Sequence, residues 1–288
     1  MAVKCGCMNG YKTIWDNVGK TRNKGIEVTL NTVNMRNKDF EWSTNLVFSL
    51  NRDKIVDLRG DKKNDITNNW FIGKPLRVYY DYKVDGIWQQ GDQFTYTAAD
   101  GTVKEIQKGA KPGSAKVLDA DGNGYINSND KVIIGSKNPS FLMSMGNTLT
   151  YKNFYLSVLL NGTFKVTREL NEANISSWSY NLYNYLHNAN YWTPEHPNSK
   201  YASPVYTNFD GHSYYKDFTY IQIKNIVLGY NFNSKLIKSL GLGGVGVNLS
   251  VENLYTFCDI RSILNYDTSW FASYPTARSY VLGFNLTF

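Results

Sequence analysis

The chain has 288 residues and a formal net charge of +7 at pH 7, with 42% hydrophobic and 19% charged residues. It is too apolar for a disordered chain, and it has no run of about 20 apolar residues, which excludes a helical membrane protein. A transmembrane β-barrel stays open, because barrel strands alternate between apolar and polar residues. Lysine and arginine are scattered along the chain, which argues against a nucleic-acid partner.

Residues 1–20 are an unassigned N-terminal stretch, and residues 1–10 within it match no recognisable pattern. Residues 1–10 lack the charged start and apolar run of a secretory signal peptide. Cys5 and Cys7 form a lone C-x-C pair without a partner histidine, and three cysteines cannot build a disulfide framework. We interpret the pair as incidental, with a metal or redox site as the alternative.

Five segments alternate between apolar and polar residues, which predicts strands with one apolar and one polar face. Within each segment the apolar residues share one parity. In chain order they are Ile26, Val28 and Leu30; Phe40, Trp42, Leu46, Phe48 and Leu50; Phe154, Leu156, Val158 and Leu160; Val245, Val247, Leu249 and Val251; and Tyr280, Leu282, Phe284, Leu286 and Phe288.

The segment 219–232 changes parity partway along. Ile221 and Ile223 share one phase, whereas the apolar residues from Ile226 onward share the other. One extra residue in a β-bulge at this point would return all of these side chains to one face.

Short turns and long connections alternate along the chain. Residues 36–39 and 151–153 are short turns, and strands of about ten residues with long loops on one side are typical of outer-membrane barrels. Segment 76–84 is either a strand, which then needs a partner within 85–140, or part of a loop. The long connections are about 52–75, 85–140, 165–218 and 257–276.

The end of the sequence resembles the C-terminal signal of outer-membrane barrels, in which a glycine precedes alternating apolar positions and a final aromatic residue. The matching residues are Gly283, Phe284, Leu286 and Phe288. The resemblance implies recognition by the barrel-assembly machinery. The alternative is the buried last strand of any β protein.

Further segments resemble, in order, the SusC/RagA-type TonB-dependent outer-membrane transporters. The resemblance implies an all-β fold: residues 21–288 would form an antiparallel transmembrane β-barrel segment with long extracellular loops, about eight to ten strands of a 22-stranded barrel. The plug and the TonB box of that family have no counterpart here. The matching stretches are 21–27, 40–42, 73–76 with Tyr82, 86–87, 119–135, 191–195, 221–230, 251–256 and 274–278.

The resemblance also implies a function. The chain would be a fragment of an importer in the outer membrane of a Gram-negative bacterium, surrounded by outer-membrane lipid. The intact protein would take up glycans or oligopeptides by TonB-dependent active transport. Its partners would be a SusD-like surface lipoprotein and, through the missing N-terminal part, TonB. The alternative is a soluble, calcium-stabilised β-sandwich that binds carbohydrate.

Residues 119–130 have the spacing of a calcium-binding loop, with oxygen-bearing residues at positions 1, 3, 5, 7, 9 and 12 and a glycine at position 6. The aspartate at position 12 is shorter than the usual glutamate, so we expect a lower affinity. The predicted cofactor is a structural Ca²⁺ that orders a long loop, and the alternative is a metal-free turn. The ligands would be Asp119, Asp121, Asn123, the backbone carbonyl of Tyr125, Asn127 and Asp130.

The sequence predicts that the protein is not an enzyme, since it lacks H-E-x-x-H, a nucleophile elbow and a P-loop. Aromatic residues cluster in 165–218, where flat rings beside amides and acids suit the binding of sugar or peptide. The alternatives are packing within a lid, an interfacial girdle or contact with a partner. The candidates for substrate contact are Trp178, Tyr183, Tyr191 and Trp192.

Overall fold

The structure is a computed structural model that describes residues 2–4, 13–15, 19–58, 60, 62–169, 190–203, 213–232, 237, 241–258 and 277–288. Within these residues the chain is built from antiparallel β-strands, together with a 3₁₀ turn at Ser128–Asp130. None of the helical structure in this part of the chain is long and apolar enough to cross a bilayer.

The described residues form fifteen strands, numbered in chain order. Eight of them are short and lie outside the main sheet: β1 (Ala2–Lys4), β2 (Thr13–Trp15), β5 (Val78–Tyr82), β6 (Val84–Ile87), β7 (Thr95–Thr97), β8 (Val103–Glu105), β9 (Ala115–Val117) and β10 (Lys131–Ser136). The main sheet contains β3 (Gly19–Arg36), β4 (Phe40–Leu58), β11 (Phe141–Tyr151), β12 (Phe154–Glu169), β13 (Tyr215–Asn231), β14 (Gly244–Cys258) and β15 (Ser279–Thr287).

The main sheet has the strand order β15-β14-β13-β12-β11-β4-β3, and every neighbouring pair is antiparallel. Its strands have 9 to 19 residues, longer than the five or six that are common in soluble sheets. The predicted all-β antiparallel fold is confirmed. The described residues supply seven strands to this sheet, against the eight to ten predicted.

The difference in strand number arises in the segment 76–84. Strand β5 within this segment pairs with β10 in a separate two-stranded sheet, and β4 pairs directly with β11. The segment 76–84 therefore contains a strand with a partner inside 85–140, but both strands lie outside the main sheet, within the long connection that joins β4 to β11. The alternation of short turns and long connections holds as predicted.

The register joins the apolar sides of the separate strands into one continuous surface, called here the apolar face. Leu249 of β14 lies opposite Leu228 of β13 and Leu282 of β15. These leucines are 47%, 51% and 61% exposed, so no second layer made of described residues covers them. A β-sandwich would bury this face, and the structure therefore argues against the sandwich alternative. The row continues through Leu156, Leu149 and Trp42.

The β-bulge predicted in β13 is confirmed. The register of β13 shifts between Ile223 and Asn225, relative to both β12 and β14. Lys224 is the extra residue opposite β12, and its Nζ donates a 2.7 Å hydrogen bond to Asn253 Oδ1 of β14. Because of this insertion, Ile223 and Ile226 both lie on the apolar face.

Two rows of aromatic side chains bound the apolar face. The turn-side row contains Phe154 and Tyr230, whose ring centroids are 4.5 Å apart. The loop-side row contains Phe141 and Phe164, with centroids 4.3 Å apart. Phe154 and Phe164 are ten residues apart on β12, which at ~3.3 Å per residue and a ~40° strand tilt gives a height of ~25 Å. That is the height of the lipid-facing band of an outer-membrane barrel.

Candidate functional site

The second side of the main sheet, called here the polar face, carries small and polar side chains. Ser144 donates a 2.8 Å hydrogen bond to Asn161, and Asn45 donates one of 2.5 Å to Asn31. Polar side chains at these positions suit a wet barrel interior.

Gly229 also lies on the polar face, beneath the ring of Tyr155. A β-carbon at residue 229 would lie 2.2 Å from the ring carbon Cζ of Tyr155. The polar face is therefore closely packed here, and the glycine leaves the space that the tyrosine ring occupies.

The connection between β4 and β11 has a small core of its own, built around Gln107. This side chain is 1% exposed. Its Oε1 accepts hydrogen bonds from the indole N–H of Trp88 and the backbone N–H of Val117, and its amide donates to the carbonyl of Ala115. All polar atoms of the buried amide thus have partners, which fixes the hairpins of this connection against one another.

The predicted calcium loop follows β9 and ends in the 3₁₀ turn. The carboxylate oxygens of Asp119, Asp121 and Asp130 lie within 4.8 Å of one another. Asp130 is fully buried, and it accepts hydrogen bonds from the backbone N–H groups of Ala120 and Asn127. The structure thus brings together three of the predicted ligands, with three negative charges in a small volume.

Backbone N–H groups also stabilise the charge of Asp119. Its Oδ2 accepts a 2.8 Å hydrogen bond from Gly124, and its Oδ1 accepts one of 2.8 Å from Gly122. These bonds, that from Gly124 first, lower the pKa of Asp119 below its usual value. Gly122 and Gly124 have φ angles of +72° and +87°, a conformation that strains other residues.

A cavity of about 240 Å³ lies where the long connections meet the start of β13. Ser213, Tyr214 and Tyr215 line it, together with Lys83 and Lys200. The hydroxyl of Tyr214 accepts a 2.8 Å hydrogen bond from the backbone N–H of Ala202. Burial raises the pKa of Tyr214 to about 12, so this ring stays neutral at physiological pH.

Two of the four candidates for substrate contact lie within the described residues. Trp192 is 4% exposed, and its indole N–H donates a 3.0 Å hydrogen bond to Gln89. Tyr191 packs against Tyr201, with ring centroids 6.1 Å apart. In these positions both side chains pack among the long connections of the chain. Contact of either side chain with substrate stays a prediction. Trp178 and Tyr183 lie outside the described residues.

The residues of the predicted assembly signal lie on β15 or directly after it, at one edge of the main sheet. Phe284, Leu286 and Phe288 are 70%, 57% and 90% exposed. Gly283 lies opposite Asn248, and a β-carbon at residue 283 would lie 2.6 Å from the Oδ1 of that asparagine. Recognition by the assembly machinery stays a prediction.

The short turn predicted at 151–153 implies a strand before it, and the structure confirms that strand as β11, although it is not among the five segments identified by alternation. Its apolar phase contains Phe141, Met143 and Met145, followed by Leu149 and Tyr151, and is interrupted by a single asparagine. The alternation of apolar and polar residues along this segment is the signal that identifies it as a strand with one apolar face. The interruption also places a polar residue on the apolar face.

A single antiparallel sheet with an exposed apolar face, two aromatic rows and long connections on one side defines the class of outer-membrane β-barrel proteins. No protein-family model matches the chain. Its fold is similar to the RagAB peptide importer in the "open-open" state, with a TM-score of 0.71 and 19% identity over 100% of this chain and 31% of that one. The "closed-closed" state gives the same TM-score with 20% identity.

Sequence comparison identifies which outer-membrane β-barrel proteins the chain is similar to. The chain is 30% identical to TonB-dependent receptor P3 of Formosa agariphila over 97% of its own length, and 27% identical to TonB-dependent receptor SusC of Bacteroides thetaiotaomicron over 94%. It spans 30% and 27% of the lengths of these two relatives. Over almost its whole length the chain is therefore similar to TonB-dependent receptors that include SusC, as the resemblance predicted. The relatives are receptors, which agrees with the prediction that the protein is not an enzyme.

Proposed function

We propose that the intact protein containing this chain is an outer-membrane nutrient importer that takes up glycans or oligopeptides by TonB-dependent active transport. The main support is the exposed apolar face, bounded by aromatic rows ten residues apart on β12, a spacing that spans a lipid-facing band at the strand tilt of outer-membrane barrels. Similarity to TonB-dependent receptors over almost the whole chain supports TonB as the energy source for this transport.

The substrate class rests on the long connections and on one structural relative. The similar RagAB protein is a peptide importer, and the aromatic residues of the connections suit either peptide or sugar. A chain that supplies seven strands of a sheet leaves the outer edges of β3 and β15 without partners among the described residues. The remaining strands and the plug would come from the rest of the intact protein.

Three kinds of partner follow from the proposal. A SusD-like surface lipoprotein would bind substrate above the barrel, on the side of the long connections. TonB would act from the opposite side, where the short turns lie. During assembly, the exposed apolar row of β15 would be read by the barrel-assembly machinery.

Deletion of the gene for the intact protein tests the proposal. We expect the strain to stop growing on one glycan or peptide mixture, and growth to return with the wild-type gene but not in a strain without TonB. The receptor should fractionate with the outer membrane and require detergent for extraction. Recovery in the soluble periplasmic fraction, or unchanged growth on every substrate tested, would contradict the proposal.

We further propose that residues 119–130 bind a structural Ca²⁺. The clustering of Asp119, Asp121 and Asp130 supports it, because Ca²⁺ takes six to eight oxygen ligands and offsets their mutual repulsion. Calorimetry on the intact receptor is the test. Asp119→Ala and Asp121→Ala should abolish the calcium signal, whereas Asp100→Ala, an exposed aspartate in a neighbouring hairpin, should leave it unchanged. Identical titrations for all proteins would remove the idea.

A further inference from the structure

The loop-side end of the main sheet carries a cluster of cations on the same side as the apolar face. Its four members come from two neighbouring strands, β3 and β4, and all four side chains are exposed. They are called here the basic patch and are Arg22, Lys24, Arg52 and Lys54. Four positive charges thus lie at one end of a lipid-facing surface.

The register shows that the basic patch continues the apolar face. Ile26 and Leu50 lie opposite each other on that face. Two residues further toward the loops, Lys24 lies opposite Arg52, and the other two members of the patch form the next outward pair. Side chains two residues apart on a strand share a face. The register has no shift between these pairs, so the cations follow the apolar side chains without a break.

The acids beside the basic patch lie on the polar face instead. Asp53 alternates with the cations of β4, and its carboxylate accepts hydrogen bonds from the backbone N–H of Leu76 and the side-chain amide of Asn138. Glu27 lies opposite Ser49 on that same face. Among the residues that the structure describes, no carboxylate forms an ion pair with any of the four cations. Their positive charge is therefore available to a ligand.

The guanidinium of Arg52 is held in place with its binding edge open. Its Nη1 donates hydrogen bonds to the backbone carbonyls of Asn51 and Ser140, whereas its Nε and Nη2 have no acceptor among the described residues. In Arg36 the same two atoms, Nε and Nη2, bind both carboxylate oxygens of Glu41, at 2.9 and 3.0 Å. This edge matches two oxygens of a carboxylate or a phosphate, so Arg52 is oriented to bind an oxyanion.

The pairing of like charges within the basic patch also favours an anion. Side chains directly opposite each other on antiparallel strands have β-carbons ~4.5–5.5 Å apart, and like charges in such pairs destabilise the sheet. Both opposite pairs of the patch consist of two cations. A bound anion shared between the strands would offset this repulsion.

The level of the basic patch restricts what this anion is. Phe141 and Phe164 of the loop-side aromatic row lie opposite each other. Leu142, which follows Phe141, lies opposite Ser49, so Leu50 is level with this row. The two pairs of cations lie two and four residues beyond Leu50, which is ~5–10 Å at ~3.3 Å per residue and a ~40° tilt. Aromatic belts lie at the level of the lipid headgroups, and the patch is therefore at the headgroups or just outside them.

We propose that the basic patch binds a phosphate group in the headgroup of an outer-leaflet lipid, whose acyl chains lie on the apolar face. Clusters of lysine and arginine next to a membrane-spanning segment attract anionic lipid. The direct continuation from apolar side chains to cations matches a ligand that has acyl chains at one end and negative charge at the other. The inference rests on the outer-membrane location in the proposed function, but not on any substrate.

A comparison of lipids with and without phosphate tests the ligand. The intact receptor in neutral detergent is offered an equal mixture of diphosphoryl lipid A and the same lipid with both phosphates removed, and the retained lipid is identified by native mass spectrometry. We expect about tenfold more of the phosphorylated lipid, the effect of one hydrogen bond to a charged group. Inorganic phosphate at the same concentration should leave this preference unchanged. Equal retention of the two lipids, or loss of the preference to inorganic phosphate, would overturn the proposal.

Two double variants locate the site. Lys24→Gln combined with Arg52→Gln should reduce the phosphate preference to about twofold, because the open guanidinium edge and half of the charge are lost. Lys104→Gln combined with Lys108→Gln removes the same charge from exposed residues of the connection between β4 and β11, and should keep the preference. All four positions are exposed, so we expect both variants to assemble. A preference that persists in the first variant would overturn the site. A receptor that transports nothing but keeps the preference would refute the proposed function alone.

Discussion

An arginine placed on the apolar face should destabilise the receptor far more than one placed on the polar face of the same strand. Leu160 of β12 lies six residues from Phe154 and four from Phe164, so it is close to the middle of the ~25 Å band. Ser157 lies on the polar face of that strand, opposite Thr148 and Val227.

We expect Leu160→Arg to cost ~2–4 kcal/mol, the cost of a cationic side chain at the bilayer midplane, and Ser157→Arg to cost ~0–1 kcal/mol. The larger cost corresponds to roughly 30- to 900-fold in the folding equilibrium. The assay is urea unfolding of the intact receptor in phospholipid vesicles, with the amount of assembled receptor in outer-membrane fractions as a second readout. Equal costs for the two variants would refute the assignment of the faces.

Three further predictions concern the polar face, the bulge and the calcium loop. Gly229→Ala should cost ~1–3 kcal/mol by overpacking against Tyr155, and the cost should largely vanish in a Tyr155→Ala background when both are measured by urea unfolding. Deleting Lys224 should prevent assembly, because the apolar residues on one side of the bulge would turn to the polar face, whereas Lys224→Ala keeps the residue count and should assemble. The pKa of Asp119 is lowered in the fold, so its charge stabilises the loop above its unfolded pKa of ~3.9, and this stabilisation is lost as the pH falls through the folded value. Hydrogen exchange of residues 119–130 in the presence of a chelator should therefore show faster opening at pH 3 than at pH 6, relative to an Asp119→Asn control that lacks this dependence. An equal pH response in the two proteins would contradict the role of this carboxylate.

Alternation along single strands was enough to predict most of the main sheet. The apolar phases of 154–160 and 245–251 were each assigned without reference to the other, and the register brings both onto one face through β13. The parity change between Ile223 and Ile226 even located a β-bulge. These features are local, since each depends on a period of two residues within one segment.

Features that depend on distant partners were harder to predict. The alternating pattern of 76–84 suits a strand, but nothing in it shows that β5 pairs with β10 instead of joining the main sheet. The burial of Trp192 among the connections likewise depends on Gln89, which is 103 residues away.

The calcium loop depends both on local spacing and on how the folded chain arranges its ligands. Its spacing is local and was read from twelve consecutive residues, and the fold brings Asp119, Asp121 and Asp130 together. Whether this cluster holds Ca²⁺ depends on how many oxygens can converge on one point, which spacing alone does not fix. Binding to the intact receptor is therefore the property to measure.

The central claim is that lipid covers the apolar face, and spin labels along β12 test it most directly. Single cysteines at residues 156–161, in a receptor without its native cysteines, would carry the label in phospholipid vesicles. We predict that labels at 156, 158 and 160 are accessible to oxygen, which concentrates in lipid, while labels at 157, 159 and 161 are accessible to a water-soluble nickel complex. Shielding of 156, 158 and 160 from both reagents would show that protein covers this face, and would contradict the account.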